Sequence, residues 1–209
     1  MRKNPQFFFA VTNYSFYYWL TINLIVGLML PGKSLACACC AEVGQWYERS
    51  SSINNYELSQ VQSLKFSPVA QLYLTVPGFD VIKGLSSNSQ KYTLSQSKNQ
   101  RLWNLKFKDE LGKIGNLTFK IPTKATFFAT DAATRSPRDS NNEPMLYKEM
   151  RMEGQVSGNG IFAKGMSNDT KFRLVVQGKG NECMESKDFA TWNLQIFGSR
   201  ASYSFYGKF

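Results

Sequence analysis

Four cysteines carry the soft, redox-active chemistry of this chain, and they are unevenly placed. Cys37, Cys39 and Cys40 crowd into four residues, while Cys183 stands far away in a turn between two expected strands. In an oxidising compartment such thiols pair, and a bridge from Cys183 to a cluster cysteine ties the N-terminal part onto the body of the domain. That bridge closes a loop of more than 140 residues, worth about 4 to 5 kcal/mol in the chain-entropy treatment. Kept reduced, the same four thiolates form a tetrahedral soft-donor set for Cu(I) or Zn(II). The Cys-x-Cys-Cys spacing is tighter than the Cys-x₂-Cys pairs of ordinary zinc sites. Disulfides are therefore the expected outcome, with a thiolate metal-binding protein or a redox or lipidated cysteine as alternatives.

Histidine is absent from the chain. This removes Ser-His-Asp and Cys-His catalysis and histidine-ligated metal sites. No glycine-rich phosphate loop opens a helix, so nucleotide chemistry has no support either. Paired carboxylates are the remaining route, and Glu149 and Glu153 flank Arg151 on one polar strand face. Two-residue steps of about 7 Å put these carboxylates about 14 Å apart, beyond the roughly 5 to 9.5 Å of a glycosidase pair. An ion-pair ladder is the expectation, and neither a catalytic residue nor a cofactor site is assigned.

Gly44, Gln45, Trp46, Tyr47 and Glu48 form a Gly-x-Trp-Tyr-Glu run near the expected mature N-terminus. This run resembles the opening of the lipocalins. The resemblance implies an eight-stranded up-and-down barrel closed at one end by Gly44 and Trp46, and a carrier of a small apolar ligand. The alternative is that Trp46 is a core aromatic near the first strand. Asn116-Leu117-Thr118 and Asn168-Asp169-Thr170 match the N-glycosylation acceptor pattern. Tyr147, Phe197 and Tyr206 fall opposite the apolar faces, where aromatics build a sugar-stacking or protein-binding platform or stabilise the sheet itself.

These residues need elements to position them. Residues 1–36 contain Arg2, Lys3 and Lys33, no acidic residue, and an apolar stretch from Phe16 to Leu30. Pro31 and Gly32 then stop a helix, and Ser34 and Ala36 supply the small residues that signal peptidase needs for cleavage before Cys37. Segment 1–36 is thus read as a signal peptide and 37–209 as a single β-rich domain, secreted or held in the periplasm or cell envelope. Two alternatives stand beside this. The segment is retained as an N-terminal membrane anchor, or Cys37 is lipidated; membrane contact is expected only in those cases.

Beyond this segment, two-residue alternation dominates and a helical period is almost absent. Leu72, Leu74 and Val76 alternate with polar residues, as do Trp103 to Phe107, Leu117 to Ile121, Leu146 to Val156, Phe172 to Val176 and Trp192 to Ile196. Turn chemistry at Pro77-Gly78, Asp109 to Gly112, Ser157 to Gly160 and Gly178 to Asn181 separates them, and Thr130 to Pro144 reads as a long polar loop. The fold class is all-β, an antiparallel sandwich or closed barrel of about nine or ten strands, with the sandwich as first choice.

Loss of residues 1–36 lowers the net charge from +10 to +7, because three basic residues leave with the segment. A basic exported domain suits an anionic surface or a polysaccharide as partner. The lysines and arginines are scattered singly, however, and no nucleic-acid motif occurs. The function expected is that of an exported binding or structural protein. Intact-mass analysis of the recovered protein, before and after reduction and alkylation, is expected to show a chain beginning at Cys37 with thiols that become alkylatable only on reduction. An uncut chain, a diacylglycerol increment or four thiols free at the outset each breaks a different part of this reading.

Overall fold

The computed structural model describes residues 46–74, 82–131, 146–180 and 184–209. Ten strands form in chain order: β1 Trp46–Ser52, β2 Val69–Leu72, β3 Lys91–Asn99, β4 Leu102–Asp109, β5 Ile114–Lys120, β6 Lys124–Asp131, β7 Leu146–Gly160, β8 Lys171–Lys179, β9 Phe189–Phe197 and β10 Ser202–Lys208. One helix, α1 (Asn55–Ser63), lies between β1 and β2.

The sheet closes as a barrel and not as the sandwich placed first. Strands β2, β3, β4, β5, β7, β8, β9 and β10 each pair antiparallel with the next, and β10 returns to β2 through Phe205 opposite Leu72. Strands β6 and β1 lie outside this ring of eight. The reason is the length of β7. Its first half pairs with β6, its second half with β5, and β8 runs along its opposite edge. Strands β5 and β6 thus share one edge of β7, separated by a break at Ile121, Pro122 and Thr123. Proline lacks the ladder donor and fixes φ, which is why the pairing stops there. Beyond the break, β1 adds to the free side of β6 to make a two-strand wing.

Alternation explains the strands. Trp103, Leu105, Phe107, Leu117, Phe119, Phe172, Leu174, Val176, Trp192, Leu194 and Ile196 are all buried, as their spacing requires. The barrel axis is filled with rings. Phe107 packs on Phe205 at 4.7 Å and on Phe162 at 5.3 Å between centroids. Phe119 lies 4.3 Å from Phe172. Near the start of β4, Phe66 sits edge-on to Trp103 and Trp192 and plugs that end, together with Val61 and Leu64. Near the end of β4, Phe162 and Tyr203 close the other.

Three local expectations are corrected. Ser157 to Gly160 is not a turn but the last part of β7, held straight by its pairing with β5. Leu74 is half exposed, because β2 ends at Leu72. Helix α1 has a short-range cause that strand periodicity hides: the Asn54 side chain accepts from the Glu57 amide, and the Glu57 carboxylate accepts from the Asn54 amide, each at 2.9 Å. The Lys98 ammonium meets the carbonyls of Gln62 and Leu64 at the helix C-terminus and lies 4.0 Å from the Trp103 ring. Burial lowers the Lys98 pKa to about 8.

Segment 1–36, the bulk of the Thr130 to Pro144 loop, Pro77-Gly78, Gly44 and all four cysteines lie outside the described residues. Replacing Phe107 by Ala removes a ring from the centre of the barrel and is expected to cost about 3–5 kcal/mol in urea unfolding. Leu111→Ala, at the exposed tip of the β4–β5 hairpin, should stay within about 0.5 kcal/mol of wild type.

Candidate functional site

On the outer surface, the polar positions of five neighbouring strands line a groove of about 870 Å³. Register places them in cross-strand rows. Glu48 of β1, Phe128 of β6, Glu149 of β7 and Gln177 of β8 form one row; Ser50, Thr126, Arg151, Val175 and Asn193 form the next; Glu153, Arg173 and Gln195 form a third. A two-residue period puts every one of them opposite the core.

The centre of the groove is a connected network around Glu149. Arg151 donates to the Glu149 carboxylate from Nη2 at 2.7 Å and Nε at 2.9 Å. Gln177 Nε2 donates to Glu149 and to the Tyr147 oxygen, each at 3.0 Å, and Tyr147 donates its hydroxyl proton to Glu149. Burial works against the charged carboxylate, but donors from Tyr147, Gln177 and Arg151 outweigh it and hold Glu149 below the usual glutamate range. Burial, and then the same carboxylate, push Tyr147 well above the tyrosine range. Glu153 is engaged separately by Arg173. The ladder expected from the Glu-x-Arg-x-Glu spacing forms only in part: Arg151 pairs with Glu149 and reaches Glu48 of β1, whereas Glu153 takes Arg173 of β8, and β8 also supplies Gln177.

Aromatics border the groove. Trp46 stacks on Phe128 at 6.4 Å, Phe128 meets Tyr147 at 6.3 Å, and Arg151 lies over the Phe128 ring. On the other side Arg173 lies over Phe197. Tyr206, opposite Asn193, donates to Gln71 at 2.6 Å.

The structure separates several residues that the sequence joins. Trp46 is neither a barrel cap nor a core aromatic: it stands 68% exposed on β1, outside the ring. The up-and-down connectivity implied by the lipocalin resemblance is present, but rings occupy the axis where a carrier would hold its ligand. Asn116 donates its side-chain amide to Asn159, while Asn168 is exposed in the turn before the buried Thr170. Among the described residues, no three His, Cys, Asp or Glu side chains gather as a metal-ligand group.

One buried pair escaped the sequence reading. Lys148 points into the barrel between Leu146 and Met150 and pairs with Asp188, both almost fully buried. The signal was present, since an even step from Leu146 places Lys148 on the apolar face. Gly180 makes the approach of Asp188 feasible, because a Cβ there would stand 2.0 Å from its Oδ2. Comparison with protein-family profiles, curated proteins and solved structures finds no match to this chain.

A carboxylate held below its usual pKa contributes stability above the unfolded-state value of about 4.3 and loses it as pH falls through the lower native value. Glu149→Gln is expected to destabilise the protein by about 1–3 kcal/mol at pH 7. The gap from wild type should close as the pH falls from 5 to 3 in paired urea titrations.

Proposed function

We propose that this chain is an exported binding protein of the cell envelope or extracellular space, without catalytic machinery, that holds a polysaccharide in the groove across β1, β6, β7, β8 and β9. The observation that carries the reading is the groove's composition. Planar amides and paired ions, fixed by one another before any ligand arrives, lie between exposed or half-buried rings. Sugars present hydroxyl edges to such donors and acceptors, and their C–H faces to aromatic rings. Preorganisation lowers the ordering cost of binding. Within the groove each arginine faces a carboxylate, so the fit is to a neutral glycan and not to a charged one. The carboxylates are engaged by arginines and amides, which supports a binding role over acid–base chemistry. Export rests on the character of residues 1–36.

Calorimetric titration with neutral oligosaccharides of several linkage types tests this. At least one should bind, with an affinity lowered about tenfold or more by Gln177→Ala combined with Asn193→Ala, while the thermal midpoint shows that the variant is folded. Equal affinity in the variant, or no binding across the panel, overturns the assignment.

A further inference from the structure

The opposite wall of the barrel has a different electrostatic character. The outward positions of β3, β4, β5, the second half of β7 and the start of β8 include no aspartate or glutamate. They do include Lys106, Lys108, Lys120 and Lys171, all exposed and none with an ion-pair or hydrogen-bond partner among the described residues. The nearest carboxylates are Asp109, which is buried and accepts from the Ser87 hydroxyl and the Leu111 and Lys113 amides, Glu110, at the hairpin tip beside Lys108, and Glu153, which is committed to Arg173.

Register gives this face its dimensions. Lys106 and Lys108 are one two-residue step apart, about 7 Å, and Lys106 stands opposite Asn116, so Lys120 lies about 14 Å along the neighbouring strand. Extending the β5–β7 pairing one residue past Phe119 and Val156 sets Lys120 against Gln155, which itself pairs with Lys171; two strand spacings, about 10 Å, separate these lysines. Between the charged rows runs a neutral one, Ser97, Asn104, Thr118 and Ser157.

We infer that this wall is a second binding surface, for a linear acidic polysaccharide whose carboxylate or sulfate groups meet the lysines while its hydroxyls meet the neutral row. A surface built only for solubility intersperses both signs, as the groove side does; here the outward positions of these strands carry one sign, and Glu110 and Glu153 stand only at the margins. That arrangement costs stability through self-repulsion, and a polyanion laid across it reverses the sign of the cost. A glycan fits better than a membrane, because the row between the lysines is hydroxyl and amide, and the exposed aliphatics of this wall, Leu102 opposite Lys120 and Ile114 opposite Lys108, stand at its two ends about 20 Å apart and form no single patch to enter lipid. The inference stands apart from the groove, since the two surfaces take ligands of different charge.

The test uses the mature chain with dextran sulfate, neutral dextran, phosphatidylserine vesicles and a single-stranded oligonucleotide as probes, at 50 and 200 mM salt. Dextran sulfate should bind, more weakly at the higher salt, with neutral dextran inert on this face. Replacing Lys106, Lys108, Lys120 and Lys171 by Ala should weaken binding at least tenfold, and replacing all four by Arg should preserve it. A control replaces Lys65, Lys164, Lys179 and Lys208, also exposed, by Ala for the same change in net charge, and it should retain most of the affinity. Equal loss in the control reduces the effect to net charge and overturns the inference. So does tighter binding of vesicles or oligonucleotide than of dextran sulfate, or no binding by wild type. Loss of neutral-sugar binding in the groove variant leaves this result untouched, so the two readings fail separately.

Discussion

Strand β7 has to satisfy two partners on one edge, and much of the molecule follows from that. Its fifteen residues are too many for β5 alone. The pairing with β5 covers only the last part, and the donors and acceptors of the first part would stand open if β6 did not take them. An unpaired strand edge invites association with other chains, so supplying β6 from the next stretch of the same chain is a local solution. Pro122 makes the solution possible by ending one pairing before the next begins. Strand β1 then covers β6, and Arg49 of β1 reaches the Glu57 carboxylate of α1, fixing the helix to the wing at 3.3 Å.

The interior is governed by a different constraint. Eight strands enclose room for side chains and little else, and here large rings take that room. Ring contacts at 4.3 to 5.3 Å between Phe107, Phe119, Phe162, Phe172 and Phe205 leave the axis packed. In such an interior a lone ammonium would be costly, and Lys148 is tolerated because Asp188 meets it with Gly180 giving the clearance. Lys98 shows the milder version. Its ammonium is half-buried on Trp103 against helix carbonyls, and its lowered pKa records that burial favours the neutral form. Its proton is therefore held less firmly in the native state than in the unfolded one, so raising the pH from 8 toward 10.5 favours the folded form at this site.

How legible this was in the sequence depends on which side of the strand a residue faces. Inward positions repeat a two-residue apolar signal, and β4, β5, β8 and β9 could be read from Trp103, Leu117, Phe172 and Trp192 onward. Strand β3 was hidden because only Tyr92 and Leu94 are fully buried along its length, and its turn places Gln100 at a φ of 50°, where turn rules expect glycine or asparagine. Strand β1 was hidden because polar residues stand on both of its faces, and β6 because its inward residues, Ala125, Phe127 and Ala129, are mostly small while Phe128 stands on the opposite face. Barrel and sandwich share the same alternation, so closure was not legible; it depends on the β10 to β2 pairing between Leu72 and Phe205, residues distant in the chain. Of the groove, Glu149, Arg151 and Glu153 were legible because they share a strand. Gln177 and Asn193 were not, because register across strands brings them in.

The same reasoning accounts for the charge pattern. Lysines scattered singly along the sequence look like an ordinary solvated surface, since Lys106, Lys108, Lys120 and Lys171 are each flanked by buried residues that point the other way. Closing the barrel stacks alternate positions of separate strands, and scattered charges become neighbours. On β7 the change occurs within one strand. Glu149, Arg151 and Glu153 face outward in the half beside β6, whereas Gln155, Ser157 and Asn159 face outward in the half beside β5. The break at Pro122 therefore coincides with a change in surface chemistry as well as in pairing. On the wing side each arginine meets a carboxylate, and on the other side the four lysines pair with none among the described residues, so one long strand carries the boundary between two surfaces of different charge character.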